Sequence, residues 1–145
     1  MKTMRIAALI IAVASVHAFA EDAAPNAADP TQRCFTGLAR DARLEAIADK
    51  IALDYSGDST SVLLQRYAGD DERAALRLWH GLRRQCFDAG ESFRRAAFGA
   101  QARTVMQSAF MFQQVLVSRL QKGEMTYAEF NRRRAELAAS YDSRI

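Results

Sequence analysis

Proline, histidine and cysteine are scarce: the chain of 145 residues has two of each. Both prolines, Pro25 and Pro30, stand near the start, so from Thr31 onward no locked φ or missing N–H interrupts a helix. One histidine, His17, lies in the first twenty residues, which leaves His80 as the one imidazole of the main body. A Ser-His-Asp site would have to use it. A zinc site needs three or four convergent Cys, His or carboxylate ligands, and this inventory is too small for one. No C-x-x-C, C-x-x-C-H or E-x-x-H spacing occurs, which argues against a thioredoxin-like redox pair, covalent haem and a metal helix of the E-x-x-H kind. No cofactor is implied.

The chain starts with a composition unlike the rest. Lys2 and Arg5 precede an apolar run from Ile6 to Val16, followed by Ala18-Phe19-Ala20. A basic start, an apolar middle and an A-x-A site form the pattern of a secretory signal peptide. The run is too short to anchor in a bilayer. The expectation is a signal peptide over 1–20, a flexible acidic leader over 21–30 and a single helical domain over 31–145. The mature protein would be periplasmic, with no transmembrane segment left.

Charge sets further limits. Removing Lys2 and Arg5 from 20 basic residues leaves 18 against 17 acids, a near-neutral total. A dedicated nucleic-acid binder needs a concentrated basic surface, so that class is not expected. Residues 21–60 are net acidic and residues 61–145 net basic. The basic half allows a weak contact with an anionic surface.

Half of the residues are apolar, with Ala and Leu ahead of the β-branched types. With no proline to break helices, this reads as all-α: a small bundle of four to five helices ending in an αα-hairpin. Cys34 and Cys86 are an even pair in an oxidising compartment and are expected to form one disulfide. Closing a loop of that length is worth about 4 kcal/mol in the chain-entropy treatment.

Along the chain, a helix is expected from Thr31, with further helix to about Leu53 and breaks near Gly37 and Asp41. Ser56-Gly57-Asp58-Ser59 reads as a turn, and Ser59 or Thr60 as the cap of a short helix through Tyr67. Asp70 would cap the next helix, on which Ala75, Leu78, Trp79, Leu82 and Cys86 share a face. Residues 91–122 read as one long helix, apolar nearly all round its middle, and therefore either the central helix or a subunit interface. Gly123 would end it in a left-handed conformation. Thr126 and Glu129 have capping-box spacing, with Met125 and Phe130 as a hydrophobic staple. Phe130, Leu137 and Tyr141 then point one way, and Arg132, Arg133 and Arg134 face solvent.

The stretch LVSRLQKGEMTYAEFNRRRAEL carries Leu120, Gly123, Met125, Thr126, Glu129, Phe130, Arg134 and Leu137. In these residues it resembles the short C-terminal helical hairpins of the SHOCT type. The resemblance implies a module that supports oligomerisation or protein contacts and carries no catalytic residues. The rest of the chain, with Arg84-Gln85-Cys86 and the run Glu129–Arg134, is similar to small exported proteobacterial proteins of unknown function, which implies a compartment and a fold but not an activity.

Other chemistry is better explained blandly. Gly57-Asp58-Ser59-Thr60 resembles the nucleophile block of GDSL-type hydrolases but lacks that family's other blocks. Asp70, Asp71 and Glu72 are what a helix start prefers. The expected function is therefore non-catalytic: protein–protein contact in the cell envelope, with itself or another envelope protein, of an inhibitor, immunity or chaperone kind. Val105, Phe112, Leu116, Leu120 and Phe130 are the candidate contact residues. The alternative is a protein that binds envelope lipid or a small hydrophobic ligand between Trp79, Phe93, Phe98, Phe110 and Phe112.

Overall fold

The computed structural model describes residues 29–54 and 63–142. The expected signal peptide, most of the leader, the turn at Ser56–Ser59, its cap and the GDSL-like block lie outside the described residues. Every regular element among the described residues is helical, and the fold is all-α. In chain order they are α1 (Pro30–Leu38), a 3-10 turn (Ala42–Leu44), α2 (Glu45–Ala48), α3 (Asp70–Ala89), α4 (Glu91–Ala97), α5 (Ala100–Gln121) and α6 (Tyr127–Asp142).

Local chemistry explains the starts. Asp29 Oδ1 accepts the Thr31 N–H at 2.8 Å, with Pro30 in the first turn where its missing donor costs nothing. Asp41 Oδ1 does the same for the Arg43 N–H at 3.0 Å. For α3 the N-cap is Gly69, not Asp70: the Glu72 carboxylate reaches back to the Gly69 N–H at 2.8 Å, and Asp70 and Asp71 occupy the first turn.

α3 is the hub. α1, α2, α4 and α5 all pack on it, and α6 packs on α5. Its inward face is Ala75, Leu76, Trp79, Arg83, Cys86 and Phe87, all buried. Leu78 and Leu82, expected on this face, flank it half-buried. Trp79 meets Phe130 of α6 edge-on with ring centroids 6.4 Å apart, and Phe87 stacks on Phe110 of α5 at 4.1 Å. The disulfide joins Cys34 of α1 to Cys86 of α3, with their Cα atoms 5.3 Å apart. Just past the end of α3, the Thr31 side chain comes so close to the backbone at Gly90 that a side chain there would collide with it. A Cβ on Gly90 would lie 1.8 Å from Thr31 Oγ1.

Four further expectations are overturned, the first two by contacts distant in sequence. α2 ends at Ala48 rather than near Leu53. The Lys50, Ala52, Leu53 and Asp54 carbonyls turn to side chains from elsewhere: Asn131 at 3.0 Å, Arg134 at 2.5 Å, the Trp79 indole at 3.2 Å and Arg134 again at 2.8 Å. Residues 64–69 are not helical, since the Leu64 and Arg66 carbonyls accept the Ala128 and Tyr127 N–H groups at 2.9 and 3.1 Å. The expected helix over 91–122 is two helices, parted at Phe98 and Gly99, where Phe98 is extended and Arg103 donates to its carbonyl at 3.0 Å. α5 is not buried on most faces. Ala109, Phe110, Gln114, Val117 and Leu120 point inward, while Met111, Phe112 and Val115 are exposed.

The disulfide generates a direct test. A Cys34→Ser/Cys86→Ser double variant should lose about 4 kcal/mol of unfolding free energy, because the loop it closes spans 52 positions. Urea denaturation of both proteins measures it, and an unchanged midpoint would contradict the assignment.

Candidate functional site

The α5–α6 hairpin begins with how α5 stops. Gly123 has φ 73°, the left-handed region. Its N–H bonds the Leu120 carbonyl at 3.0 Å, and the Glu124 N–H bonds the Arg119 carbonyl at 2.9 Å, the paired bonds of a Schellman motif. Thr126 Oγ1 accepts the Glu129 N–H at 3.2 Å as the N-cap of α6. The two N–H groups between them are taken by the extended 64–69 segment. Three of the donors that a helix start leaves without partners are thus satisfied. Met125 and Phe130, the staple residues, are both buried.

The hairpin presents an apolar strip to solvent. Met111, Phe112 and Val115 of α5 are 46%, 58% and 52% exposed. Beside them runs a groove of about 400 Å³, lined by Phe112, Val115, Leu116 and Leu137 with Arg119 and Arg133 at its rim. Both arginines have weak surface partners: Arg119 lies 3.5 Å from Glu124 and Arg133 lies 3.2 Å from Glu129. Pairs this exposed are worth about 0–1 kcal/mol and exchange readily.

The candidate contact residues do not share this strip. Phe112 lies in it and Leu116 lines its groove, half-buried. Val105 is half-buried further along α5, while Leu120 and Phe130 are core. The five aromatic residues considered as a pocket do not form one face either. Trp79 and Phe110 are core, Phe112 is exposed, and Phe93 and Phe98 pack edge-on at 6.2 Å.

Residue-pattern reasoning missed the buried arginines. Arg83 is 1% exposed, with its guanidinium 4.8 Å from the Trp79 ring and 5.1 Å from the Phe35 ring, and it donates to Gln113. Arg134, expected in solvent with Arg132 and Arg133, is buried and holds the 52–54 backbone. Their helical positions were the available signal. Arg83 is four residues after Trp79, and Arg134 four after Phe130, so each continues an apolar row.

A polar cluster ties the extended segment to α3. Arg66 grips Glu72 with two bonds of 2.7 and 2.5 Å, Lys50 lies 3.4 Å away, and the Arg66 guanidinium sits 5.4 Å from the Tyr127 ring centroid. The Arg66 bonds, helped by the Gly69 N–H and Lys50 and opposed by burial, hold the Glu72 carboxyl down at about 2. Burial is the main force pushing the buried Tyr127 phenol up. His80 is half-buried, and burial, then Arg83 and Arg84, push its imidazole down, favouring the neutral form. The His80 carbonyl accepts from Gln114 at 3.1 Å.

Among the described residues no group of three or more His, Cys, Asp or Glu is placed to hold a metal ion. No described helix is long and apolar enough to cross a membrane. No protein family, curated protein or solved structure matches the chain.

The Glu72 cluster predicts an acid response. A depressed carboxyl contributes stability that is full above its ordinary 4.5 and is lost as pH falls towards about 2. The contribution at neutral pH should be about 2 kcal/mol, discounted for the exposure of Arg66. Glu72→Gln should therefore lower stability at pH 7 and flatten its fall between pH 4.5 and 2. Urea midpoints measured across that range, parallel for both proteins, would refute the role.

Proposed function

We propose that this protein is a non-catalytic, disulfide-stabilised helical protein of an oxidising, extracytoplasmic compartment, and that it works by protein–protein contact through the α5–α6 face. One observation carries the reading: Met111, Phe112 and Val115 stand in solvent on a hairpin whose turn is closed by its own caps at Gly123 and Thr126. Burying large apolar side chains against a partner is favourable by about 25 cal/mol per Å² of apolar surface removed from water. A rigid helix pair offers such side chains at little cost in ordering. The resemblance of 116–137 to SHOCT-type hairpins supports the same use. The Cys34–Cys86 bond supports the compartment, because such bonds persist outside the reducing cytosol. The periplasm, reached through a signal peptide over 1–20, is the compartment we propose.

Crosslinking in the native cell followed by recovery of the tagged protein tests this. Phe112→Asp and Val115→Asp should abolish the crosslinked partner, whether a second copy or another envelope protein, while leaving the unfolding temperature within a few degrees. Leu120→Asp, in the core, should instead unfold the domain. Crosslinks that survive both surface substitutions would refute the face.

A further inference from the structure

A second surface lies at the junction of α3, α4 and α5, and its chemistry is different. The break at Phe98–Gly99 separates α4 from α5, and residues of α3, α4 and α5 line a cavity of about 540 Å³. That lies within the range of small-ligand sites, about 300–1,000 Å³. Three arginines, Arg94, Arg95 and Arg103, line it against two acids, Asp88 and Glu91, together with Thr104, Gln107 and Ser108 of α5, so its lining carries a net positive charge.

The arginines are not equivalent. Arg95 is paired with Glu91 at 2.5 Å. Arg94 and Arg103 have no carboxylate within ion-pair distance among the described residues; both spend donors on neutral oxygens. Arg94, only 8% exposed, bonds Thr31 Oγ1 at 2.7 Å and the Phe87 carbonyl at 2.6 Å, with its guanidinium 3.7 Å above the Phe87 ring. Arg103 bonds the Phe98 carbonyl at 3.0 Å. Burial pushes Arg94 down, and Asp29, Glu91 and Asp88 offset this only from longer range. A nearly buried cation without a carboxylate is costly unless something else supplies the counter-charge. A guanidinium has five N–H donors, and the bonds just named use only part of each set. Arg94 is also held still by Thr31, Phe87 and the close approach of Gly90, where an added Cβ would lie 2.8 Å from its Nη1.

The geometry points to this cavity as a binding site for a phosphate-bearing ligand, held by Arg94 and Arg103 with the α5 side chains Gln107 and Ser108 as further donors; the Thr104 hydroxyl donates to the Ala100 carbonyl at 3.0 Å. The number of donors suits an anion with three or more acceptor oxygens better than a carboxylate with two. The start of α5 adds its helix dipole, and Gly99 at the N-cap has no side chain to occupy the first N–H groups. Phe87 and Ala100 supply an apolar wall for a small organic remainder. Soluble phosphate esters and phospholipid headgroups share this chemistry.

Titration calorimetry of the intact protein at low ionic strength, with inorganic phosphate and with glycerol 3-phosphate, tests the site. Both should bind, and Arg103→Gln should weaken each about tenfold while far-UV dichroism and unfolding temperature stay unchanged. Arg94→Lys, which keeps the charge but loses the fork, should act in the same direction. Arg132→Gln, on the exposed face of α6, should leave binding intact. Flotation on phosphatidylcholine vesicles with and without phosphatidylglycerol separates the sources. Flotation that needs the anionic lipid and Arg103 assigns a headgroup; binding of the soluble probes alone assigns a free ester. No binding of either probe together with no flotation overturns the proposal. So does a loss in Arg132→Gln equal to that in Arg103→Gln, or affinity indifferent to Arg103.

Discussion

The buried face of α3, running from Ala75 through Trp79 and Arg83 to Phe87, organises the domain. A helix with one apolar row needs one partner; this one touches α1, α2, α4 and α5 and has the Trp79 indole against α6. Its central position follows from which side chains it carries. Trp79 and Phe87 supply large flat surfaces that other elements can cover from several directions. Arg83 covers aromatic faces from within the core rather than reaching for solvent. Cys86 converts the contact with α1 into a covalent one, so α1 is tied to the buried face of α3.

Much of the remaining structure consists of polar groups terminating backbone that helices leave open. Asn131, Arg134 and Trp79 take four carbonyls of 50–54, and the 64–69 segment takes two N–H groups of α6. Buried backbone groups without partners cost free energy comparable to a lost hydrogen bond, so these contacts specify where the chain runs as well as holding it there. The Arg66–Glu72 pair closes the same arrangement at the surface. The interior therefore does two jobs: apolar rows position helices, and polar side chains position the segments between them.

The two surfaces left for function differ for a physical reason. Along α5, the strip at Met111, Phe112 and Val115 lies opposite the row that faces α3, so it has no intramolecular cover. At the α4–α5 break the chain turns instead, and side chains from three helices converge on a cavity edged by arginines. The proposed contact face relies on burial of apolar area. The proposed phosphate site relies on charge held in place by neighbouring bonds. They lie at different places on α5, so the two proposals stand independently.

How much of this was legible in the sequence divides along the range of the interactions. An all-helical fold follows from residue types alone, and the pairing of Cys34 with Cys86 follows from their being the two cysteines of the chain. The end of α5 at Gly123 and the start of α6 at Thr126 were equally readable, because their bonds join residues within about a turn of one another. The premature end of α2, the extended 64–69 segment and the burial of Arg134 were not. Asn131 and Arg134 meet 50–54 across about eighty residues of chain, at separations of 81, 82 and 80. The apolar ring of α5 looked like an all-round core because periodicity counts apolar residues, whereas exposure depends on how many neighbours arrive to cover them. Local hydrogen bonding and residue type determined the elements and their caps. Only the assembled fold decided which carbonyls a distant side chain would claim, which arginines would be enclosed and which face of α5 would be left in water.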